Sequence, residues 1–370
     1  MTRGGRPPLG IGEAAPWFHA PALDGSQDYA FHTAAGRPVL MLFFGSAATR
    51  EGADALAKVQ ARRGLFDDLT GAFYGVAADS DDAAKRRIRQ QLPGIRFLLD
   101  YDGQVSLAFG ADPGGGPGRH PGHWLLLDRM LRVAGRYPIE AGDAALDAFA
   151  GLVAAPANPD WAPVVMAPNV LEPELCRYLI SLHEADGGEE SGFMRDVGGK
   201  TRLLLDPSHK VRRDYLIKDG DLSRRLHRRL AHRLVPMVRR AFQFDPTRVE
   251  RLLVGCYEAE AGGHFRAHRD NTTKGTAHRR FAVTINLNAE DYEGGDLVFP
   301  EFGARPYRPP TGGAVVFSCS LLHRAMPVTR GRRFAFLPFL YDDAAALLRE
   351  QNAGFVEGGA EYRAGTRGAG

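Results

Sequence analysis

The sequence predicts two domains, an α/β layered domain in the N-terminal half and a β-rich barrel or jelly roll in the C-terminal half. In residues 1–155, apolar strand-like runs alternate with helix-like stretches. From Leu252 onward, short strand-like runs are separated by turns rich in glycine and proline. Between these two regions, residues 154–160 contain two prolines among small residues, a composition that disfavours both helix and sheet.

The domain boundaries follow from this pattern. The chain has 370 residues, enough for two domains of the usual ~100–200 residues each. We place the first domain at residues 1–155, a linker at 156–163, the second domain at 164–345 and a C-terminal tail at 346–370.

Apolar periodicity predicts the main elements of both domains. In the first domain, the predicted strands are residues 38–44, 71–78 and 124–128, and the predicted helices are residues 51–65, 81–91 and 144–153. In the second domain, the predicted helices are residues 172–185 and 222–242, and the clearest predicted strand is residues 281–287. Pro236 lies within the helix at 222–242 and should kink or split it.

Composition and charge indicate a globular protein of the reducing cytoplasm. Hydrophobic residues make up 44% of the chain, and the formal net charge of +3 is too small to indicate a nucleic-acid partner. The helix at 222–242 has an arginine-rich face, and a solvated surface is a simpler interpretation of that face than a nucleic-acid patch. The three cysteines, Cys176, Cys256 and Cys319, match neither a disulfide framework nor a zinc motif. No apolar run approaches the ~20 residues that cross a bilayer, so we expect no membrane association.

A candidate metal site lies in the second domain. His268 and Asp270 form a His-x-Asp pair, and residues two apart on a strand point to the same side. His323 follows after several strand-sized segments and could return alongside them. Two histidines and one carboxylate form the facial triad of non-haem iron(II) oxygenases, which leaves positions open for a keto acid and dioxygen. With twelve histidines, one such pair is expected by chance about once per chain, so the pair alone is weak.

Two further residues could bind 2-oxoglutarate as the keto acid. Arg333 follows His323 by ten residues, and a guanidinium can neutralise the far carboxylate with paired hydrogen bonds. Strand alternation would direct the neighbouring Arg332 outward, although both arginines could also belong to an exposed strand end. Tyr257 lies eleven residues before His268 and could donate to the keto acid, or could equally be a core tyrosine.

Residues 257–342 resemble the catalytic core of the prolyl-4-hydroxylase-like 2-oxoglutarate/iron(II) dioxygenases. The matching pieces are Tyr257 with its following glycines, HRD at 268–270, YEGGDLVFP at 292–300, PTGGAVVF at 310–317 and HRAMPVTRGRR at 323–333. The resemblance implies a double-stranded β-helix, hydroxylation of an unactivated C–H bond, and release of succinate and carbon dioxide. It implies His268, Asp270 and His323 as iron(II) ligands, Arg333 as the 2-oxoglutarate anchor where many members have lysine, and Tyr257 as its helper. Ascorbate as a reductant is left open.

The first domain resembles the peroxiredoxins, a thioredoxin-fold family. The resemblance rests on IGEAAPWF at 11–18, RPVLMLFF at 37–44, LLDYDGQVSLAFG at 98–110 and HWLLLD at 123–128. Thr49 of the family's Thr-x-x-Cys motif is present, but Gly52 occupies the position of the reactive cysteine, and no cysteine precedes Cys176. Because that chemistry requires a thiolate, we expect a structural or interaction domain that presents a substrate or binds a protein partner.

The sequence leaves two alternatives to a prolyl or other peptidyl hydroxylase. One is a hydroxylase of a small metabolite, and the other is a non-catalytic scaffold that retains both folds. The sequence retains the complete set of His268, Asp270, His323 and Arg333. This argues against a scaffold, because a protein that has lost its catalytic activity is expected to lose at least one of these residues. Residues 200–219 are basic and match no motif, which suits either a surface loop or a segment that closes over an acidic substrate.

Overall fold

A computed structural model describes residues 7–111, 122–155 and 160–358 of the chain. The chain divides into two compact units, Met1–Pro159 with Pro300–Gly303, and Asp160–Phe299 with Ala304–Gly370. Residues 156–159 of the predicted linker and residues 359–370 of the predicted tail lie outside the described residues.

The N-terminal unit is built on one five-stranded sheet with helices packed against it. The strands of this unit are β1 (His19–Ala20), β2 (Tyr29–Ala30), β3 (Val39–Gly45), β4 (Ala72–Ala77), β5 (Ile95–Leu99), β6 (His123–Leu127) and β7 (Val133–Pro138). Strands β1 and β2 pair with each other as a separate two-stranded sheet. Its helices are α1 (Arg50–Ala61), α2 (Ser80–Ala84), α3 (Gln104–Ala108) and α4 (Gly142–Ala154), with 3-10 turns at Phe31–Ala34, Arg63–Leu65, Ile139–Ala141 and Pro300–Phe302.

The strand order of the five-stranded sheet is β5-β4-β3-β6-β7. The pairs β3-β4 and β4-β5 are parallel, and the pairs β3-β6 and β6-β7 are antiparallel. The central strand β3 is almost entirely buried, as its continuous apolar sequence predicts. Side chains of α1 and α4, including Val59 and Phe149, pack with Leu40 and Trp124 of the sheet in one core. This arrangement is the thioredoxin-like fold that the peroxiredoxin resemblance implies.

The predicted helix at 81–91 is wrong, because α2 ends after Ala84. Arg86 has a φ of +54°, and the backbone amides of Arg87 and Ile88 both donate to the carbonyl oxygen of Asp82. The Asp82 side chain is fully buried and accepts a 2.7 Å hydrogen bond from the Ala47 amide. These tertiary contacts override the helical propensity of a charged segment.

Strands β5 and β7 were not predicted either, because an arginine interrupts the apolar pattern of each. Arg96 in β5 pairs with Asp68 at 2.5 Å, and Arg136 lies within β7.

At the start of α1, the surrounding atoms leave no room for a side chain at Gly52, the position where a peroxiredoxin has its cysteine. Thr49 is the N-cap of α1, and its hydroxyl accepts a 3.1 Å hydrogen bond from the Gly52 amide. A Cβ atom at Gly52 would lie 2.3 Å from the carbonyl oxygen of Ser46 and 2.9 Å from the Thr49 hydroxyl. A cysteine therefore does not fit here unless the backbone moves.

We expect Gly52→Ala to lower the free energy of unfolding by ~1–3 kcal/mol, because the new methyl group meets backbone that cannot rotate away. The matched control is Gly151→Ala within α4, where an added Cβ meets nothing within 4 Å. Since alanine is the better helix former, the control should stabilise by ~0.5–1 kcal/mol. Urea denaturation of both variants checks this, and a stabilised Gly52→Ala protein would contradict it.

The C-terminal unit is built on two large antiparallel sheets and two additional two-stranded sheets, with helices packed on the largest sheet. Its strands are β8 (Val165–Ala167), β9 (Glu189–Glu190), β10 (Phe193–Val197), β11 (Lys200–Leu204), β12 (Lys210–Val211), β13 (Arg213–Leu216), β14 (Arg248–Glu250), β15 (Leu253–Glu258), β16 (His264–His268), β17 (Phe281–Asn286), β18 (Glu293–Gly294), β19 (Leu297–Val298), β20 (Pro306–Tyr307), β21 (Ala314–Ser318), β22 (His323–Ala325), β23 (Val328–Arg330), β24 (Arg332–Phe336) and β25 (Phe339–Tyr341). Its helices are α5 (Pro173–Asp186), α6 (Gly220–Arg229), α7 (Val235–Phe242) and α8 (Asp343–Asn352), with a 3-10 turn at Ala353–Phe355.

The larger sheet has the order β14-β25-β17-β24-β15-β13-β9, with β21 paired to β17 and β8 paired to β21. The smaller sheet has the order β12-β16-β22-β19-β20. Together they form the predicted double-stranded β-helix. Alternate residues of the larger sheet, such as Val283 and Phe334, pack with Leu179 and Leu226 of the helices. Their neighbours in sequence therefore face the interior of the jelly roll.

The predicted split of the helix at 222–242 is confirmed. A π-helical turn at Leu230–Leu234 separates α6 from α7, and Pro236 lies at the start of α7. Proline is tolerated there because its missing amide hydrogen would have no partner in the first turn.

The predicted tail begins inside a helix, since α8 runs through the boundary after residue 345. Ala345 and Ala346 are fully buried, and Val356 forms a β-bridge with Thr201. Residues 346–358 therefore continue the folded unit. Among the described residues, no helix combines the length and the apolar character that a membrane-spanning helix needs.

Candidate metal centre and cosubstrate pocket

The strands β16 and β22 bring the three predicted metal ligands together. His268 is the last residue of β16, His323 is the first residue of β22, and the two are directly opposite each other in the antiparallel pair. Asp270 follows His268 by two residues, and its backbone amide donates a 2.9 Å hydrogen bond to the Cys319 carbonyl. That bond fixes the turn from which the carboxylate reaches the two imidazoles.

The ligand atoms of these three side chains lie within 4.8 Å of one another. The Nε2 atom of His268 is 3.5 Å from Asp270 Oδ1, and the Nε2 atom of His323 is 3.4 Å from Asp270 Oδ2. Among the described residues, this is the one cluster of histidine, cysteine and acidic side chains with spacing suited to a metal ion.

Backbone hydrogen bonds orient both imidazoles for metal binding. His268 Nδ1 lies 2.8 Å from the Arg266 carbonyl oxygen, and His323 Nδ1 lies 3.0 Å from the Leu321 carbonyl oxygen. Because a carbonyl oxygen only accepts, each Nδ1 carries the hydrogen in these bonds. A neutral imidazole held in this way presents the lone pair of Nε2 to the shared space, as metal-binding histidines do.

Electrostatics favour a divalent cation at this position. Burial lowers the pKa of His323 to about 4, with a further contribution from His268, so that its imidazole is neutral near pH 7. Burial alone would raise the pKa of Asp270, but His323, His268 and Arg279 outweigh it and hold this pKa well below its usual range. Two imidazole nitrogens and one carboxylate are the ligand set of the iron(II) facial triad. The residues present therefore fit the metal.

Aromatic rings enclose the cluster. Phe265 stacks on His268 with ring centroids 3.5 Å apart, and Phe317 contacts His323 with centroids 4.6 Å apart. Only 15% of the His268 side chain and 7% of the His323 side chain are exposed. These rings limit the access of water to the ligand atoms.

Arg333 lies inside the jelly roll, whereas Arg332 points outward, as alternation along β24 predicts. Arg332 is half-exposed and pairs with Glu184 at 2.6 Å. Arg333 is 3% exposed, its Nε atom has no hydrogen-bond partner, and it forms no ion pair with a described acidic residue. A buried guanidinium without a counter-ion is costly, so an anionic ligand at this position would relieve it.

Tyr257 lies directly beside Arg333, because the two residues are cross-strand partners in β15 and β24. Tyr257 is buried, and the Arg333 guanidinium lies 5.1 Å from the centre of its ring. Tyr292 lies near the same arginine. Burial raises the pKa of Tyr292 against the opposing effect of Arg333, which keeps this second phenol protonated. The predicted anchor and helper are therefore adjacent.

Sequence reasoning missed a group of polar residues from the segment at 200–219. Lys210, Arg212 and Asp214 are largely buried, and the Arg212 guanidinium donates to the Tyr257 hydroxyl at 3.3 Å. This part of the segment is therefore not a surface loop. Its period-two alternation of charged residues was the available signal, because it places all three on one face of an extended chain.

Two family descriptions match this chain. Residues 252–341 match the 2OG-Fe(II) oxygenase superfamily, and residues 11–131 match the AhpC/TSA family. The chain thus carries a 2OG-Fe(II) oxygenase domain, whose family uses iron(II) and 2-oxoglutarate, after an AhpC/TSA-family domain.

Curated proteins that are similar to this chain include PKHD-type hydroxylases. One from a Synechococcus species is 35% identical over 96 residues, 24% of this chain and 42% of that protein. Another, from Cupriavidus metallidurans, is 28% identical over 186 residues, 46% of this chain and 75% of that protein. The chain thus spans less than half the length of the first of these relatives.

A solved structure of similar shape is the prolyl hydroxylase from Trichoplax adhaerens in complex with a hypoxia inducible factor oxygen degradation domain peptide fragment. It has a TM-score of 0.40 and 16% identity, and the match covers 50% of this chain and 86% of that chain. A likeness of this size does not by itself define a function.

Anaerobic addition of iron(II) should raise the melting temperature of the C-terminal unit, because the metal binds the folded state alone. At a free metal concentration one hundred times Kd, the stabilisation is ~2.7 kcal/mol, or roughly 5–10 °C for a unit of this size. His323→Ala should abolish the shift. His264→Ala, on the same strand and outside the cluster, should retain it, and loss of the shift in both variants would contradict the assignment.

Proposed function

We propose that the C-terminal unit is an iron(II)- and 2-oxoglutarate-dependent hydroxylase. His268, Asp270 and His323 hold the metal, Arg333 binds the far carboxylate of 2-oxoglutarate, and Tyr257 assists it. One observation carries this proposal: a metal-ligand cluster and a buried guanidinium without a counter-ion occur in one jelly roll. The match to the 2OG-Fe(II) oxygenase superfamily over residues 252–341 supports it.

Iron(II) bound at this cluster supplies the oxidative chemistry, in which 2-oxoglutarate, dioxygen and a substrate C–H bond give succinate, carbon dioxide and a hydroxylated product. One oxygen atom enters succinate and the other enters the product. The chain's own residues prepare this reaction. The two imidazoles and the Asp270 carboxylate would hold the metal through three ligand atoms, so that the keto acid and dioxygen could bind it as well. Arg333 fixes the orientation of the keto acid, and the rings of Phe265 and Phe317 exclude water.

The substrate we propose is a prolyl or other peptidyl side chain. The similarity to proteins named as PKHD-type hydroxylases supports hydroxylation, although it covers only part of their length. A small-metabolite substrate is the alternative, and succinate release against both classes of compound separates the two. We propose ascorbate as the reductant that maintains iron(II) between turnovers.

For the N-terminal unit we propose a non-peroxidase role, as a domain that binds a protein partner or presents substrate. The closed backbone at Gly52 supports this, because the site cannot accept a cysteine side chain as it stands. The three cysteines are free and buried, which suits a reducing compartment, and we propose a cytoplasmic location.

Arg333→Gln should weaken 2-oxoglutarate binding by about 10–100-fold, since hydrogen bonds between charged groups contribute ~1.5–3 kcal/mol. Iron(II) affinity should be unchanged, because Arg333 is not among the metal ligands. The matched control is Arg332→Gln, which removes an outward-facing guanidinium paired with Glu184 and should change 2-oxoglutarate affinity by less than about twofold.

The measurement is succinate release as a function of 2-oxoglutarate concentration in the iron-loaded full chain. Equal effects of the two arginine variants would refute the anchor assignment. A wild-type protein that binds iron(II) but neither binds nor decarboxylates 2-oxoglutarate would favour a non-catalytic scaffold.

A further inference from the structure

A buried polar network lies behind Tyr257, on the side away from its cross-strand neighbour Arg333. Arg212 donates to both carboxylate oxygens of Asp214, each at 2.6 Å. Ser191 donates its hydroxyl hydrogen to the same carboxylate and accepts a 2.6 Å hydrogen bond from the Nζ atom of Lys210. Only 5% of the Arg212 side chain and 17% of the Asp214 side chain are exposed. The network therefore holds the Arg212 guanidinium in one position.

Gly255 in β15 leaves the space that the Arg212 side chain occupies. A Cβ atom at Gly255 would lie 2.9 Å from the Arg212 Cδ atom and 3.1 Å from its Nε atom. Arg212 therefore lies directly against the backbone of β15, two residues before Tyr257. Any larger residue at Gly255 would displace the guanidinium from the phenol.

The direction of the hydrogen bond between Arg212 and Tyr257 is determined by chemistry. A guanidinium has donors and no acceptor, so the Tyr257 oxygen must accept the 3.3 Å bond from Arg212 Nη1. The hydroxyl hydrogen of Tyr257 is then directed elsewhere. Among the residues that the structure describes, that hydrogen has no acceptor, although Tyr257 is only 4% exposed.

Two buried donors thus lack acceptors at neighbouring positions, the Tyr257 hydroxyl and Arg333 Nε. The Arg212 and Arg333 guanidinium groups lie 5.6 Å and 5.1 Å from the centre of the Tyr257 ring. Asp214 neutralises Arg212, while Arg333 has no such partner. A carboxylate ligand would accept from both unsatisfied donors at once.

We propose that Arg212 is a positioning residue for 2-oxoglutarate, which acts through Tyr257. By donating to the phenol oxygen, Arg212 directs the phenol hydrogen toward the carboxylate bound by Arg333. Asp214, Ser191 and Lys210 hold Arg212 in place for this role. The inference rests on the proposed function of the same pocket.

The test is a double-mutant cycle on the full chain, in which 2-oxoglutarate is titrated anaerobically into the iron(II)-loaded protein and followed by its charge-transfer absorption band. Calorimetric titration gives a second binding measurement. The variants are Arg212→Lys, Tyr257→Phe and the double variant. Lysine can still pair with Asp214, but a single ammonium cannot also reach the phenol.

Each single variant should weaken 2-oxoglutarate binding by about tenfold, the value of one hydrogen bond to a charged group. The double variant should be no weaker than Tyr257→Phe alone, because Arg212 acts only through the phenol. Iron(II) affinity should be the same in all four proteins. Multiplicative losses of about one hundredfold, or no loss in Tyr257→Phe, would overturn the proposal.

Asp214→Asn gives an independent variant if Arg212→Lys does not fold. This substitution preserves the shape of the side chain but removes the charge that holds the Arg212 guanidinium in place. It should therefore weaken 2-oxoglutarate binding in the wild-type background and have no effect in the Tyr257→Phe background. An equal loss in both backgrounds would overturn the positioning role. A wild-type protein that binds iron(II) but does not respond to 2-oxoglutarate would refute the proposed function itself. If the wild-type protein binds 2-oxoglutarate and the Arg212→Lys variant binds it equally well, only the inference about Arg212 is refuted.

Discussion

The antiparallel pairing of β16 with β22 is the constraint on which the candidate site depends. Phe265 pairs with Ala325, and the register then shifts by one residue so that His268 pairs with His323. Without that irregularity, regular pairing would place Leu322 opposite His268. The bulge thus brings both imidazoles to one end of the strand pair, and bulges of this kind commonly re-aim side chains at functional sites.

The interior of the jelly roll contains charges that a globular core normally excludes. Arg212 and Asp214 neutralise each other, which leaves the Asp270 carboxylate and the Arg333 guanidinium at separate positions. A divalent metal and a dianionic keto acid carry opposite and equal charge, so that binding both would add no net charge to the interior. In the proposed site, the metal would compensate the negative charge of Asp270, and the far carboxylate of the keto acid would compensate the positive charge of Arg333.

Local sequence patterns were sufficient to predict those parts of the fold and of the site that depend on residues close together in sequence. The His-x-Asp spacing and the alternation along β24 predicted which side chains share a face, and the cluster of His268, Asp270 and His323 has that geometry. The contacts of Arg212 with Gly255 and Tyr257 could not be predicted, because they depend on the pairing of β13 with β15, which are far apart in sequence. The helix predicted at 81–91 failed for a related reason, since buried Asp82 binds backbone that is distant in sequence.

The most direct test of this account is anomalous diffraction at the iron edge from crystals grown anaerobically with iron(II) and 2-oxoglutarate. The account predicts one metal peak bound by the Nε2 atoms of His268 and His323 and by the Asp270 carboxylate. It also predicts that the far carboxylate of the keto acid contacts Arg333 and the Tyr257 hydroxyl. A metal peak elsewhere in the chain, or a keto acid bound without Arg333, would contradict it.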